Sequence, residues 1–444
     1  RAPGMPPGLM RSAWTRRSGV VGLVDIAPTV LDLLGLPRPD VMEGRPFTPG
    51  PRGGDAAARI HRLADTAERA AFRDLAVVEA SSFLGAAGFL LTVAAVLAFW
   101  RGRGRCGPRT AAALDLAALG LAVFLPLTYL AMLVPFAHTS MPAYWVFLTV
   151  TSLGVAGGLR LLARTRPLGA PIAALVLVYG VVLVDVATGS RLQFNGAFGY
   201  SPTVGGRYAG LGNLGFAQLA TAAALLAALV AHVIGGRRGL MAACGVLLAA
   251  FVVDGSPFFG ADVGGVLSLV PAFGVTAWML SGRRLRLRHL ALLGAGSVVA
   301  VTLAGLVDLA RPVESRSHLG RLLAGDGGDF WVVVQRKAES SLRTFGVAPA
   351  TLLLPFFCLG VVWLVRWAPG PVGVLRRRVP EIDAGLAGAG LVGLLGALLN
   401  DSGLRITGIT FAIVIATLVS GCVRVGMLAD PARVDEPEGQ GSSA

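Results

Sequence analysis

The polar residues of this chain that are able to do chemistry gather in a few loops. One loop, GAFGYSPTVGGRYAGLGN from Gly196 to Asn213, carries Tyr200, Arg207, Tyr208 and Asn213, with Arg191 and Asn195 just ahead of it. A second, DGSPFFGADVGG, holds Asp254 and Asp262. A third, Asp308 to Arg343, offers Arg311, Glu314, Arg316, His318, Arg321, Arg336 and Lys337, and a fourth, NDSGLR, offers Asn400, Asp401 and Arg405. Arginine matches phosphate bidentately. Glycine allows close backbone approach and leaves amides free for an anion. Asn213 is expected near the electropositive start of a helix over 211–234. Two readings of this set stand side by side. Carboxylates beside arginines can hold a phosphorylated headgroup, directly or through a divalent cation, or they are ion pairs that hold the loops to one another.

The elements that position these loops are apolar. Of 444 residues, 54% are hydrophobic and 14% charged, against about a quarter charged in soluble domains. The fold class is therefore an all-α polytopic membrane protein, preceded by a short α/β fragment. Apolar runs predict about eleven spans, at 81–100, 111–136, 142–162, 169–188, 211–234, 239–254, 262–280, 289–309, 346–367, 383–400 and 405–427. The glycine-rich run 383–400 reads either as a span or as a re-entrant segment. Before the first span, 55–77 carries Ile60, Leu63, Ala67, Ala71 and Leu75 as a weak apolar stripe among charges, an amphipathic linker helix within 51–80. The remaining layout is a fragment over 1–50, a membrane domain over 81–428 and a disordered cytoplasmic tail over 429–444.

Net charge is +14, and its distribution writes topology instead of nucleic-acid binding. Alternate loops hold Arg101, Arg103, Arg105 and Arg109, then Arg160, Arg164 and Arg166, then Arg237 and Arg238, then Arg283, Arg284, Arg286 and Arg288, then Arg366 and Arg376 to Arg378, and the tail adds Arg424 and Arg433. Short basic loops are cytoplasmic. All four loops rich in chemistry then fall on the outer face of a bacterial cytoplasmic membrane, with the N-terminal segment outside and the C-terminus inside. Two acids lie within the spans, Asp115 and Asp185. Carboxylates there are costly and mark function or pairing. Asp185 lies near the outer end, with the loops. Asp115 lies one turn from the cytoplasmic end, where snorkelling or a local hydrogen bond accounts for it. The segment 331–345 reads as an interfacial helix. Cys106, Cys244, Cys358 and Cys422 are scattered and form no metal or disulfide framework.

The stretch SGVVGLVDIAPTVLDLLGLPRPDVMEGRPF predicts a strand at Val20–Val24 and a helix capped by Asp25, beginning near Pro28 and stopped by Gly35 and Pro37. Its DIAPTVLDLLG run, Asp25 to Gly35, resembles the closing part of alkaline-phosphatase-superfamily domains, the phosphatases, sulfatases and mutase-like enzymes. Pro37, Gly44 and Pro46 continue the likeness, which covers some thirty residues. The resemblance implies a parent protein that acts on an external phosphate or sulfate ester with divalent metal as cofactor. Catalysis in that superfamily needs a nucleophilic threonine or serine with aspartates and histidines on two metals. Residues 1–50 contain no histidine, and Thr29 belongs to the closing motif. The chain, which begins at Arg1, is expected to be the C-terminal part of something longer, without a hydrolase site or cofactor of its own.

The membrane portion, through Tyr200–Asn213 and Asn400–Gly403, resembles bacterial multi-spanning proteins fused behind such domains. Three functions follow as expectations. The first is processing of a phosphorylated or lipid-linked envelope substrate. The second is transport or flipping of a lipid or polar solute. The third is anchoring. The expected partners are the bilayer and that substrate, with no nucleic acid.

Overall fold

The computed structural model describes residues 6–12, 15–39, 42, 44–50, 53–101, 107–203, 205–311, 335, 339, 354–366 and 370–427. Among them ten helices are long and apolar enough to cross a membrane. They are α2 (Ala56–Arg101), α3 (Pro108–Leu130), α4 (Met141–Leu162), α5 (Gly169–Ala187), α6 (Asn213–Ile234), α7 (Gly236–Gly255), α8 (Val263–Leu280), α9 (Leu287–Leu309), α12 (Ile382–Leu399) and α13 (Leu404–Gly421). Of the span expected at 346–367, the helix Leu354–Arg366 (α10) is described, and a short helix, Pro371–Arg378 (α11), follows it. The tail 429–444 and almost all of the segment 331–345 lie outside the described residues.

The linker helix and the first span are one element. α2 runs unbroken for 46 residues, because no glycine or proline interrupts 56–84. At 1.5 Å per residue it is about 70 Å long, more than twice the hydrocarbon thickness. Its charged first half therefore projects beyond the apolar slab.

Short connections place consecutive helices side by side, so they alternate in direction. The tightest is the α6–α7 corner, where Gly235 and Gly236 take φ of 70° and 55°, a region that glycine reaches without steric cost. α6 is the axis of the bundle, packed by α5, α7, α8, α12 and α13. Its alanine-rich sequence lets these neighbours approach closely.

α12 is a single unbroken helix, not a re-entrant hairpin. Its glycines serve packing. Gly385 faces Ala228 and Ala224 on α6, Gly388 faces Thr276 on α8, and Gly396 faces Ile406 and Phe216. A methyl group at Gly388 would overlap the Thr276 hydroxyl.

The fragment ahead of α2 departs from its sequence reading. Val20–Val24 form no strand. Leu23–Asp25 is a 3-10 turn that runs into α1 (Ile26–Leu33), and the strands are β1 (Met10–Arg11) and β2 (Thr48–Pro49), antiparallel with Met10 opposite Pro49. The Asp25 side chain does not cap α1. Its two oxygens accept the backbone N–H groups of Gly22 and Arg45, both at 3.1 Å. Thr29 donates to the Asp25 carbonyl at 2.6 Å and accepts the Phe47 N–H at 3.0 Å. Both side chains face backbone that would otherwise lose water without a partner, so the motif stitches 44–47 onto the helix.

Candidate functional site

The connections at the end of the bundle that carries the fragment meet in one cluster. Its floor is the 188–212 loop, folded by carboxylate and amide side chains. Asp185, in the last turn of α5, accepts the N–H groups of Leu192 at 2.7 Å and Gln193 at 3.2 Å. Gln193 is buried, and its side-chain oxygen accepts the Gly212 N–H at 2.9 Å, pinning the start of α6. Tyr129 on α3 donates to the Phe198 carbonyl at 3.1 Å and accepts from the Gln218 amide on α6 at 3.2 Å. Tyr200 donates to the Gly210 carbonyl at 3.1 Å. Burial holds the Tyr200 hydroxyl above the ordinary phenol range, against the pull of Arg17. Burial and then Asp25 do the same to Tyr208.

For three of the loop's glycines the N–H groups are not free to bind an anion. The Gly196 N–H reaches the Gln193 carbonyl at 3.2 Å, the Gly199 N–H reaches the Gly196 carbonyl at 2.9 Å, and the Gly212 N–H is used by Gln193. The glycines are needed for close approach. Any side chain at Gly199 would overlap the Gln193 carbonyl, and one at Gly210, which has φ of 81°, would overlap that of Gly260. The Leu211 N–H then joins the loop to the 256–262 turn through the Gly260 carbonyl at 3.0 Å.

Asn195, at φ 65°, reaches the Thr66 carbonyl on α2 at 3.4 Å. Asn213, the first residue of α6, donates to Asp401 and to Ser402 Oγ, joining α6 to the α12–α13 corner. Asn400 packs its amide oxygen against Gly264 at the start of α8. Arg207 donates to the Gly260 carbonyl at 3.0 Å and lies 3.5 Å from Asp262, the residue before α8. Asp254, in the last turn of α7, is fully buried beside them. Arg311 pairs with Asp308 at 2.9 Å and stacks on Phe258. His318 and Arg321 lie outside the described residues.

Three arginines of this end carry no local sequence signal and show themselves only in the fold. Arg17, from the fragment, donates to the carbonyls of Tyr208 at 2.6 Å and Ser190 at 2.8 Å and stacks on Phe194. Arg16 donates to the Pro257 carbonyl at 3.2 Å, and burial, then the nearby Arg311, lowers its pKa. Arg73 of α2 is buried, donates to the Gly199 carbonyl at 3.0 Å and lies near enough to Arg405 for the two charges to act on each other. Two clefts open among these groups. One, of about 20 Å³, is lined by Arg69, Tyr144 and Asn195, and the other, of about 10 Å³, by Gly255, Val266 and Asp308. Each has room for about one water.

No family model, curated protein or solved structure matches this chain. What it does is therefore read from its own residues. Among the described residues no group of three or more His, Cys, Asp or Glu is arranged to hold a metal ion. The arrangement is a hydrogen-bonded cap rich in arginine.

Asp115 is not part of this cap. It lies toward the opposite end and neither snorkels nor bonds locally. Arg424 forks onto its two oxygens at 3.0 and 2.9 Å, Ser420 donates to it at 2.7 Å, and Arg160 Nε stands 2.8 Å away. Near the same end His232 lies 2.8 Å from Glu381, and Arg376 pairs with Asp383 at 2.7 Å.

Proposed function

We propose that this chain is the membrane domain of an extracytoplasmic protein that processes a phosphate or sulfate ester on a cell-envelope or lipid-linked substrate. The observation that carries the reading is how the fragment sits. The DIAPTVLDLLG segment, similar to the end of alkaline-phosphatase-superfamily domains, belongs to a fragment fastened to the loop cluster by Arg16 and Arg17. A catalytic domain ending in this fragment is held over the cap, not tethered by free chain. Arg73, Arg207 and Arg405 favour an anionic substrate at that face. Thr29 is engaged by backbone groups on both sides, so hydrolysis and its divalent metal belong to the parent domain.

The charge bias supports the orientation. Arg160, Arg164, Arg166, Arg237, Arg238, Arg283, Arg284 and Arg376 to Arg378 flank the helices at the end away from the fragment. By the positive-inside rule that end faces the cytoplasm of a bacterial cell, leaving the fragment outside. A second reading, transport of a lipid or polar solute, is favoured by the buried Asp254. Anchoring alone accounts for none of these features, since one span suffices for it.

The test uses the protein together with any coding sequence upstream of Arg1, purified with divalent metal. It is expected to turn over a phosphomonoester, phosphodiester or sulfate-ester reporter. An R16A/R17A double variant is expected to keep turnover of the soluble reporter and to lose turnover of a phosphorylated lipid in vesicles. Silence on every ester class overturns the enzyme reading. Unchanged lipid turnover in the double variant overturns the role of the fragment contact.

A further inference from the structure

Asp254 and Asp262 differ from every other acid described in the spans and their corners. Asp254 is 0% exposed, and neither of its carboxylate oxygens has a hydrogen-bond partner among the described residues. Asp262 is 3% exposed. Among the described residues its Oδ1 has only the long 3.5 Å contact with Arg207, and its Oδ2 has no partner. The two residues are joined directly, since the Asp262 N–H donates to the Asp254 carbonyl at 3.1 Å. The Asp254 carboxylate lies over Gly265 in the first turn of α8, where any side chain would run into it. By contrast, Asp185 accepts two backbone N–H groups, and Asp115 has two arginines and a hydroxyl. A dry carboxylate without a donor is stable as the neutral acid and costly as the anion. Two carboxylates near enough to act on each other do not both ionise without counter-charge.

We propose that Asp254 and Asp262 form a proton-binding site with Arg207 as its counter-ion. Two carboxylates and one guanidinium leave a single negative charge, and one proton, carried by Asp254, neutralises it. Asp262 before α8 and Arg207 from the loop ahead of α6 are the charges that act on Asp254. Beyond them, Arg16 and Arg311 both bond the Pro257 carbonyl, and Arg311 is already paired with Asp308. Asp185, at the end of α5, is held by its own loop. A hard metal ion fits less well, because it needs six or more oxygens and among the described residues no third acidic, histidine or cysteine ligand joins the pair. The Arg207 side chain is 27% exposed, so the site communicates with the fragment-bearing face through it. Moving Arg207 away from Asp262 leaves both carboxylates without counter-charge and drives uptake of a second proton. Events at the guanidinium and proton binding are thereby linked. This site does not depend on the ester-processing reading and stands if that reading fails.

The test is infrared spectroscopy of the purified protein in detergent at neutral pH, counting buried protonated carboxyl groups by their carbonyl band and its shift in heavy water. The wild type is expected to show one such group. Asp254→Asn is expected to lose it, while Asp185→Asn retains it. Arg207→Gln is expected to show two. No band in the wild type, or a band that survives Asp254→Asn, overturns the proposal. If Asp254→Asn does not fold, Arg207→Gln decides, since a second protonated carboxyl supports the site and an unchanged count overturns it. Thermal stability that rises with sodium, with no carboxyl band, identifies a metal-cation site and also overturns it.

Discussion

Replacing Asp115 by Asn tests whether one buried carboxylate holds three helices together. Asp115 on α3 is 1% exposed and is shared by Arg424 beyond α13, Ser420 on α13 and Arg160 on α4. The two arginines are not equivalent. Arg160 is 29% exposed and turns to solvent when its partner is lost, so its pairing contributes little. Arg424 is 7% exposed and has no such escape. Removing the acceptor charge leaves a buried guanidinium without compensation, which costs about 3–5 kcal/mol. At about 1.4 kcal/mol per decade, the unfolding constant rises by roughly two to almost four orders of magnitude. Removing both charges behaves differently. Asp115→Leu with Arg424→Met is expected to lie within about 1 kcal/mol of the wild type or above it. Reversible unfolding of both variants and the wild type in detergent micelles gives both numbers. If Asp115→Asn costs less than about 1 kcal/mol, or if the double variant costs as much as the single one, the triad does not clamp α3 to α13.

Gly388→Ala is expected to cost about 1–3 kcal/mol by overpacking against Thr276. Gly390→Ala, which meets nothing within 4 Å, is expected to be neutral or to gain up to about 1 kcal/mol from helix propensity. Unfolding of the pair separates close packing from composition. Thr29→Val removes the hydroxyl that bridges the Asp25 carbonyl and the Phe47 N–H, at a cost of about 1–3 kcal/mol local to the fragment. Hydrogen exchange at Phe47 is expected to accelerate while that in α6 does not change. Tyr200 supplies a pH dependence. Its folded pKa is raised by burial, so its contribution is complete below the unfolded phenol value of about 10 and is lost as pH rises through and beyond it. Tyr200→Phe is expected to flatten the alkaline limb of stability against pH, and an unchanged limb refutes the assignment.

Much of the bundle was legible in local sequence. Apolar runs located the helices because burial in lipid requires side chains that need no partner. Charge bias and turn glycines located the ends, so the 188–212, 256–262 and 400–403 corners were correctly grouped at one end. What local sequence misjudged was purpose. The glycines of α12 resembled those of a re-entrant loop, yet they are seats for Ala224, Ala228 and Thr276. The glycines of the 188–212 loop resembled free amides, yet the N–H groups of Gly196, Gly199 and Gly212 are consumed by Gln193 and its neighbours.

The sequence by itself determined the membrane class, nearly all the spans and the loops that carry chemistry. Each of these depends on hydropathy and charge within some twenty neighbouring residues. Only the tertiary structure decided which charges are paired. Asp115 finds Ser420 and Arg424 across 305 and 309 positions, and Arg17 finds Ser190 and Tyr208 across 173 and 191. Asp254, eight residues before Asp262 and packed against Gly265, finds no donor at all among the described residues. A carboxylate's protonation, cost and role depend on the donors and dielectric that packing brings to it. Those are properties of the assembled bundle and of no single segment.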